Sequence, residues 1–218
     1  MNTDKKRRMV LVTGFEPFDG ETRNPSGEIA LALDGRMIAG RCVVGTVLPC
    51  VFGRSVGELK RLLRVVRPEL VVCVGQAGGR LAITPERVAI NLDDARIPDN
   101  AGGKPVDVPI VRGGPAAYWS TLPIKAIVAG LTERGLPAAV SPTAGTFVCN
   151  HVFYCLMRAL ARRRGVRGGF VHVPFLPQQV KRAQPSLPLD TMIAAIAVVV
   201  EISLVTRRDV RRAGGQTH

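Results

Sequence analysis

Short continuous apolar runs, rich in β-branched residues and bounded by Gly or Pro, alternate along the chain with amphipathic segments. Runs of this kind predict buried strands. They lie at 9–15, 42–49, 70–75, 87–91, 137–142 and 168–177. The segments between them repeat apolar residues at helical spacing and start or stop at Pro and Gly, as helices do. They lie at 24–33, 55–66, 122–135, 149–165 and 189–204.

This alternation predicts the fold class. Continuous apolar strands are buried on both faces, and strands that alternate with helices form parallel sheets. We therefore expect a single-domain α/β protein, a three-layer α/β/α sandwich with a mostly parallel twisted sheet. The long segment 93–109 is rich in Asp, Pro and Gly and predicts an ordered loop of the kind that often carries function.

Length and composition set the domain organisation. A chain of 218 residues with 46% hydrophobic residues suffices for one sizeable core. We predict one catalytic α/β domain over 1–206 and a basic, disordered tail over 207–218. Five unevenly spaced cysteines indicate reduced core thiols rather than disulfides or a zinc site. Because no signal-peptide pattern is found, we expect a cytoplasmic protein.

The formal net charge of +13 raises the alternative of a basic nucleic-acid-binding module. The basic clusters at 5–8, 158–167 and 207–212 contain almost no aromatic residues for base stacking. We therefore expect no nucleic-acid partner. The longest apolar stretch, MIAAIAVVV, is shorter than the roughly 20 residues of a membrane span, so we expect no membrane partner either.

Cys149 is a candidate nucleophile, because it lies where a Gly-containing loop becomes a helix. At about 100° per residue, Cys149 shares one side of that helix with an apolar stripe, while His151 falls nearly opposite, beside Arg158 and Arg162. His218 ends the basic tail. His172 remains, near the carboxyl end of a predicted strand, where sites form in open α/β sheets.

Elimination therefore pairs Cys149 with His172. The first turn of a helix carries partial positive charge and unpaired N–H groups, so we expect a lowered thiol pKa and a place for an oxyanion. A third, acidic residue should orient the imidazole. The candidates are Glu86, Asp93, Asp94 and Asp99, and spacing does not choose among them.

Seven segments resemble those of the pyroglutamyl peptidase I family, in order and spacing. They are VLVTGFEPFDGETRNPS, LPCVFG, VGQAGGR, ITPERVAINLDDARIPDNAG, GPAAYWSTLPIKA, TAGTFVCNHVFY and GGFVHVPFLPQQ. The resemblance runs from about Val10 to about Leu204. It implies a Cys-His-Glu triad of Cys149, His172 and Glu86, and so supplies the acid. Gly27 departs from the family pattern, which usually has Trp there. The missing Trp side chain bears on stability and subunit contacts rather than on the chemistry.

The resemblance also implies a substrate. Family members release an N-terminal pyroglutamyl residue, a neutral lactam, from peptides. The implied pocket has Phe15, Phe18 and Phe147 around the ring, Gln76 as a polar neighbour and Arg96 as a stabiliser of the site or of the oxyanion. No metal or organic cofactor is implied, and a homotetramer is suggested. A phosphorylase-like enzyme is a further alternative, because Gly-rich turns after strands also bind phosphate.

Overall fold

A twisted six-stranded sheet forms the centre of the computed structural model, which describes residues 8–180 and 184–214. Its strands, in spatial order, are β2 (Met37–Ile38), β3 (Arg41–Leu48), β1 (Met9–Phe15), β4 (Leu70–Gln76), β8 (Arg167–Val173) and β5 (Thr84–Pro85). The four inner strands are parallel and the two short edge strands are antiparallel. A separate antiparallel pair joins β6 (Val88–Ile90) to β7 (Ala117–Trp119).

Helices cover both faces of this sheet. One face packs against α1 (Pro25–Leu33), α3 (Ile124–Glu133) and α5 (Leu189–Val205). The other packs against α2 (Arg54–Val65) and α4 (Val148–Leu160). The inner strands are almost fully buried, as their continuous apolar runs require. The predicted single-domain α/β fold with a mostly parallel sheet is confirmed.

The strand predicted at 137–142 does not form as a regular strand. This segment runs beside β5 and makes only isolated bridges, Ile83 to Ala138 and Glu86 to Ser141. Four backbone hydrogen bonds join the two segments. Pro85, in the middle of the partner segment, has no N–H to donate, so the ladder is interrupted there and no continuous strand forms.

Close packing of α1 on β1 explains Gly27. A Cβ on Gly27 would lie 2.6 Å from the carbonyl oxygen of Phe15, closer than side chains approach backbone. Gly14, on the strand itself, faces Ser26 with even less room. Gly27 is thus a contact point between helix and strand, and a large side chain has no space there in this structure.

The chain beyond α5 lies against α3. Asp209 accepts hydrogen bonds from the backbone amides of Lys125 and Ala126, at 3.1 and 2.9 Å, in the first turn of that helix. The sequence predicts disorder from residue 207, and this contact was not expected from it. Residues 215–218 of the predicted tail lie outside the described residues. Within 8–180 and 184–214, no helix combines the length and apolarity that a membrane span needs.

Candidate active site

The site is built at the carboxyl ends of β4 and β8, which run parallel in the middle of the sheet. In their ladder Gly75 is the partner of His172. Partner residues on neighbouring parallel strands point to the same face of the sheet, with the strands about 4.8 Å apart. The imidazole of His172 therefore lies on the face that packs against α4.

Cys149 approaches the same place from α4, where it is the second helical residue. Its Sγ lies 2.9 Å from the position that a Cβ on Gly75 would occupy. The ring of Phe170 comes within 2.8 Å of the same position. Gly75 therefore leaves the space in which the thiol lies beside the strand of His172. The thiol of Cys149 therefore lies beside Gly75, the ladder partner of His172.

Glu86 follows β5 directly and completes the group. Its backbone amide donates to the carbonyl oxygen of Phe170 at 2.9 Å, which holds it beside β8. Its Oε1 lies 2.7 Å from Nδ1 of His172, and both side chains are almost fully buried. A carboxylate accepts, so Nδ1 carries the proton and Nε2 is left as the basic nitrogen. The tilted ring of Phe170 packs against the imidazole, with 4.8 Å between centroids.

Arg80 contacts the acid from the other side. Its Nη1 donates to Oε1 of Glu86 at 2.7 Å and to Oγ1 of Thr84 at 2.6 Å. Its Nη2 donates to the carbonyl oxygen of Thr143 at 3.1 Å. One oxygen of Glu86 is thus shared between His172 and a guanidinium group, and this arginine also reaches the loop that leads into α4.

Burial dominates the electrostatics of the site. It lowers the pKa of His172, against the opposing effect of the Glu86 carboxylate. It also raises the pKa of the Cys149 thiol well above its ordinary value, while Arg80 acts in the opposite direction. Both groups are therefore neutral at rest. The direction is opposite to the lowered thiol pKa expected from the helix N-terminus, because burial disfavours the charged thiolate.

The first turn of α4 supplies donors for negative charge. The helix has no side-chain cap, and its first internal bond runs from the amide of His151 to the carbonyl of Phe147. Among the hydrogen bonds of the described residues, none uses the amides of Val148, Cys149 or Asn150. Amides of this kind can hold an oxyanion that forms on a group attacked by Sγ.

A cleft of about 420 Å³ lies at the carboxyl end of β4. Gln76, one residue beyond Gly75, lines it together with Phe18 and Arg96. Phe147 packs against Phe18, with 6.0 Å between ring centroids. Three of the five predicted substrate-binding residues, Phe18, Gln76 and Arg96, therefore line this cleft, and Phe147 contacts one of them.

Phe15 is placed differently. Its side chain is 2% exposed and packs in the core against Phe170, with 6.3 Å between centroids. Since Phe170 packs against His172, Phe15 lies behind the histidine rather than on the surface of the cleft. The apolar run that ends in Phe15 predicts a buried strand equally well.

The remaining acids and His151 have other partners. Nδ1 of His151 lies 2.7 Å from Oδ2 of Asp93. Asp99 accepts from the amides of Phe52, Ala101 and Gly103, and so shapes its own loop. The ion pairs of the described residues do not include Arg96. His151 faces a second cavity with Arg158 and Arg162, as its position on the helix predicts.

A larger cavity, of about 640 Å³, lies at the amino ends of the strands. Several of its polar groups already have partners. Arg41 pairs with Glu69, and Arg167 donates to the carbonyl oxygens of Ser203 and Thr206. No cysteine or histidine is among its described lining residues. We therefore place the chemistry at the smaller cleft.

Sequence reasoning missed several residues that build the site. Arg80 and Gly75 are two of them. A third is Asn150, whose side chain accepts from the amide of Ile90 at 3.0 Å and donates to the carbonyls of Ile90 and Leu92, both at 2.9 Å. A buried amide directly after the cysteine was a usable signal, because a polar side chain inside a helix packed on the sheet needs a partner.

An α/β sheet that brings a cysteine at the start of a helix next to a buried histidine–carboxylate pair has the arrangement of a cysteine-type hydrolase. Comparison with known proteins narrows the class. A family profile described as pyroglutamyl peptidase matches residues 8–206. The pyrrolidone-carboxylate peptidase of Chromobacterium violaceum is 58% identical over 213 residues, which cover 97% of this chain and 100% of the relative. That of Klebsiella pneumoniae is 56% identical over 211 residues, 96% of this chain and 99% of the relative.

A solved structure agrees with these sequence matches. The crystal structure of pyroglutamyl peptidase I from Bacillus amyloliquefaciens is 48% identical, with a TM-score of 0.92, and the match covers 95% of this chain and 100% of that one. The chain belongs to the pyroglutamyl peptidase family. The family predicted from the sequence motifs is confirmed.

Proposed function

We propose that the protein hydrolyses the N-terminal pyroglutamyl bond of peptides with Cys149 as nucleophile, His172 as general base and Glu86 as the acid that orients His172. The observation that carries this proposal is the buried contact of 2.7 Å between Nδ1 of His172 and Oε1 of Glu86. Sγ of Cys149 lies beside Gly75, on the strand next to that of His172. The contact with Glu86 leaves Nε2 as the basic nitrogen on the face of the thiol.

The chemistry starts from two neutral groups. Nε2 of His172 takes the proton of the thiol as Sγ attacks the pyroglutamyl carbonyl carbon. The amides of Cys149 and its neighbours in the first turn stabilise the oxyanion. When the tetrahedral intermediate collapses, the imidazolium returns this proton to the leaving amine, and a thioester remains. His172 then deprotonates a water molecule, which releases pyroglutamate and restores the thiol.

The cleft fits a neutral lactam. Phe18 and Phe147 offer apolar surface, and Gln76 offers a buried amide for hydrogen bonding. We place Phe15 behind this wall, where it supports Phe170. Arg96 is exposed at the rim of the cleft, where it acts on the part of the substrate that extends beyond the ring. Asp19 and Glu21 also line the cleft, but both are exposed, so a charged N-terminal amine would lose its water here without gaining a buried counter-ion.

The test combines a variant with a substrate panel. Cys149→Ser should lose nearly all activity on a pyroglutamyl-coumarin substrate, because an alcohol is far harder to deprotonate than a thiol. Cys155→Ser, on the same helix, is the matched control and should keep it. The wild type should cleave the pyroglutamyl substrate far faster than its glutamyl and prolyl analogues. Full activity of Cys149→Ser would reject the nucleophile, and equal efficiency on the three substrates would reject the pocket.

Assembly and location are also proposals. We expect a homo-oligomer, with four copies suggested by the family resemblance, and analytical ultracentrifugation measures this directly. The cytoplasmic location is consistent with five cysteines that are all free thiols.

A further inference from the structure

Gln179 lies beside the cleft in a short 3₁₀ helix, Pro177–Gln179, that follows β8. Its side chain makes three hydrogen bonds. Oε1 accepts from the backbone amide of Leu176 at 2.9 Å. Nε2 donates to the carbonyl oxygen of Arg23 at 3.2 Å and to Oε1 of Gln76 at 3.0 Å.

The backbone partners fix which end of the Gln179 amide is which. A backbone N–H only donates, so the atom that faces Leu176 has to be the oxygen. A backbone carbonyl only accepts, so the atom that faces Arg23 has to be the nitrogen. Gln179 therefore has one allowed orientation, and its NH₂ group faces Gln76.

This orientation passes to Gln76 in turn. Facing an NH₂ group, Gln76 turns its Oε1 toward Gln179, and its own Nε2 is left for the cleft. Gln76 is 8% exposed and lines the cleft. In the described ranges no hydrogen bond uses its Nε2. Its Nε2 is therefore available to donate to an acceptor that enters the cleft.

We propose that Gln179 is a positioning residue that sets the polarity of the specificity site, so that Gln76 donates its amide N–H to the carbonyl oxygen of the substrate's lactam ring. The proposal rests on the proposed function. It predicts that the pocket selects a ring with a carbonyl acceptor at this place. Without Gln179, the Gln76 amide could present either its oxygen or its nitrogen to the ring.

Gln179→Glu tests this by reversing the polarity. A carboxylate keeps an acceptor for the amide of Leu176 but has no hydrogen to offer Gln76. Gln76 then turns its Nε2 toward the new carboxylate and presents Oε1 to the lactam carbonyl. The probe is 2-pyrrolidone, the bare lactam, as a competitive inhibitor. We expect its Ki and the KM of the pyroglutamyl substrate to rise about tenfold or more, with a smaller change in kcat.

Gln178→Glu is the matched control, because it adds the same charge one residue away on an exposed side chain. Its Ki should equal that of the wild type. Gln179→Met removes the constraint without a charge and should give an intermediate Ki. The alkylation rate of Cys149 by iodoacetamide, followed by mass spectrometry, reports on the nucleophile and should be unchanged in all three variants.

The outcomes separate the two proposals. A wild type that fails to cleave pyroglutamyl substrate rejects the proposed function itself. An active wild type with equal Ki values for Gln178→Glu and Gln179→Glu rejects the role of Gln179 alone. A Gln179→Glu variant in which alkylation of Cys149 slows as much as substrate binding weakens also rejects it, because Gln179 would then support the fold rather than the polarity of the pocket.

Discussion

The protein contains two histidine–carboxylate pairs with the same length and different surroundings. The pair His172–Glu86 and the pair His151–Asp93 both join Nδ1 to a carboxylate oxygen at 2.7 Å. Their side chains are 4% and 0% exposed in the first pair and 12% and 8% in the second. The contact between histidine and acid therefore does not distinguish a catalytic base from a structural histidine.

The other ring nitrogen makes the difference. Nε2 of His151 accepts from the backbone amide of Gly53 at 3.3 Å, so this ring ties α4 to the start of α2. The ring also packs edge-on against Phe52. No hydrogen bond of the described residues uses Nε2 of His172, and the strand beside it leaves room for Sγ of Cys149 at Gly75. A buried pair becomes a base when its second nitrogen is left for a substrate or nucleophile.

The largest expected effect comes from removing each histidine in turn. His172→Ala should lower kcat by about 100-fold or more, because the thiol loses its base. His151→Ala should keep most of its activity and lower the free energy of unfolding by about 1–3 kcal/mol, since Asp93 and Gly53 lose their partner. Steady-state kinetics and urea unfolding measure the two effects. Equal losses of activity in two folded variants would contradict the comparison.

Neutralising each acid should give a smaller effect. In Glu86→Gln the amide oxygen remains at the shared position, because Arg80 only donates, and the Nδ1–H tautomer of His172 survives. The imidazolium loses its counter-charge, and we expect kcat to fall about 10-fold to 100-fold. Asp93→Asn should leave kcat near the wild-type value and cost about 1 kcal/mol of stability. A larger loss of kcat for Asp93→Asn than for Glu86→Gln would reverse the assignment.

The sequence predicted this contrast only in part. The helical position of His151 placed it away from Cys149, and the strand end placed His172 near it, because periodicity and strand order are visible in a single chain. The choice of Glu86 over Asp93 depended on family resemblance. Both acids lie in the same stretch of sequence, and only the folded chain shows that Glu86 reaches β8.

Other features of the site depend on contacts that no local pattern contains. Arg80 forms a hydrogen bond with Thr143, 63 positions away in the sequence, and Gln179 forms one with Gln76, 103 positions away. The long apolar strands β1, β3, β4 and β8 were predicted well, since burial on both faces leaves a continuous run. The short strands β2, β5 and β7 were not, because two or three residues give no periodicity. The directions in which the pKa values of Cys149 and His172 shift were not predicted either, because they depend on how deeply the folded chain buries each group.

The pH profile of the wild type should sharpen the comparison. In the proposed mechanism His172 is a base only when it is neutral, so kcat/KM should fall about tenfold per pH unit below its pKa. Burial lowers this pKa from its ordinary value of 6.5, and the acid limb should therefore have its midpoint below pH 6.5. A midpoint above pH 6.5 would show that the Glu86 carboxylate outweighs burial.

The smallest expected effect concerns Arg80, which has no counterpart among the contacts of Asp93. The guanidinium group lowers the pKa of His172 and that of Cys149. In Arg80→Gln both values should rise, because a positive charge that disfavours the imidazolium and favours the thiolate is gone. The acid limb of kcat/KM should then move to higher pH. Arg80→Lys keeps the charge and should move it less.

Arg61→Gln is the matched control for Arg80, since Arg61 forms an exposed pair with Glu58 on α2. Its acid limb should coincide with that of the wild type. Arg80 also donates hydrogen bonds to Thr84 and Thr143. A loss of activity alone would therefore not distinguish the loss of its charge from the loss of these structural contacts. The direction of the limb does separate them, because misplacing Glu86 would remove a carboxylate that favours the imidazolium and would move the limb to lower pH. A shift to lower pH in Arg80→Gln would therefore show that Arg80 acts by holding Glu86 in place rather than by its charge.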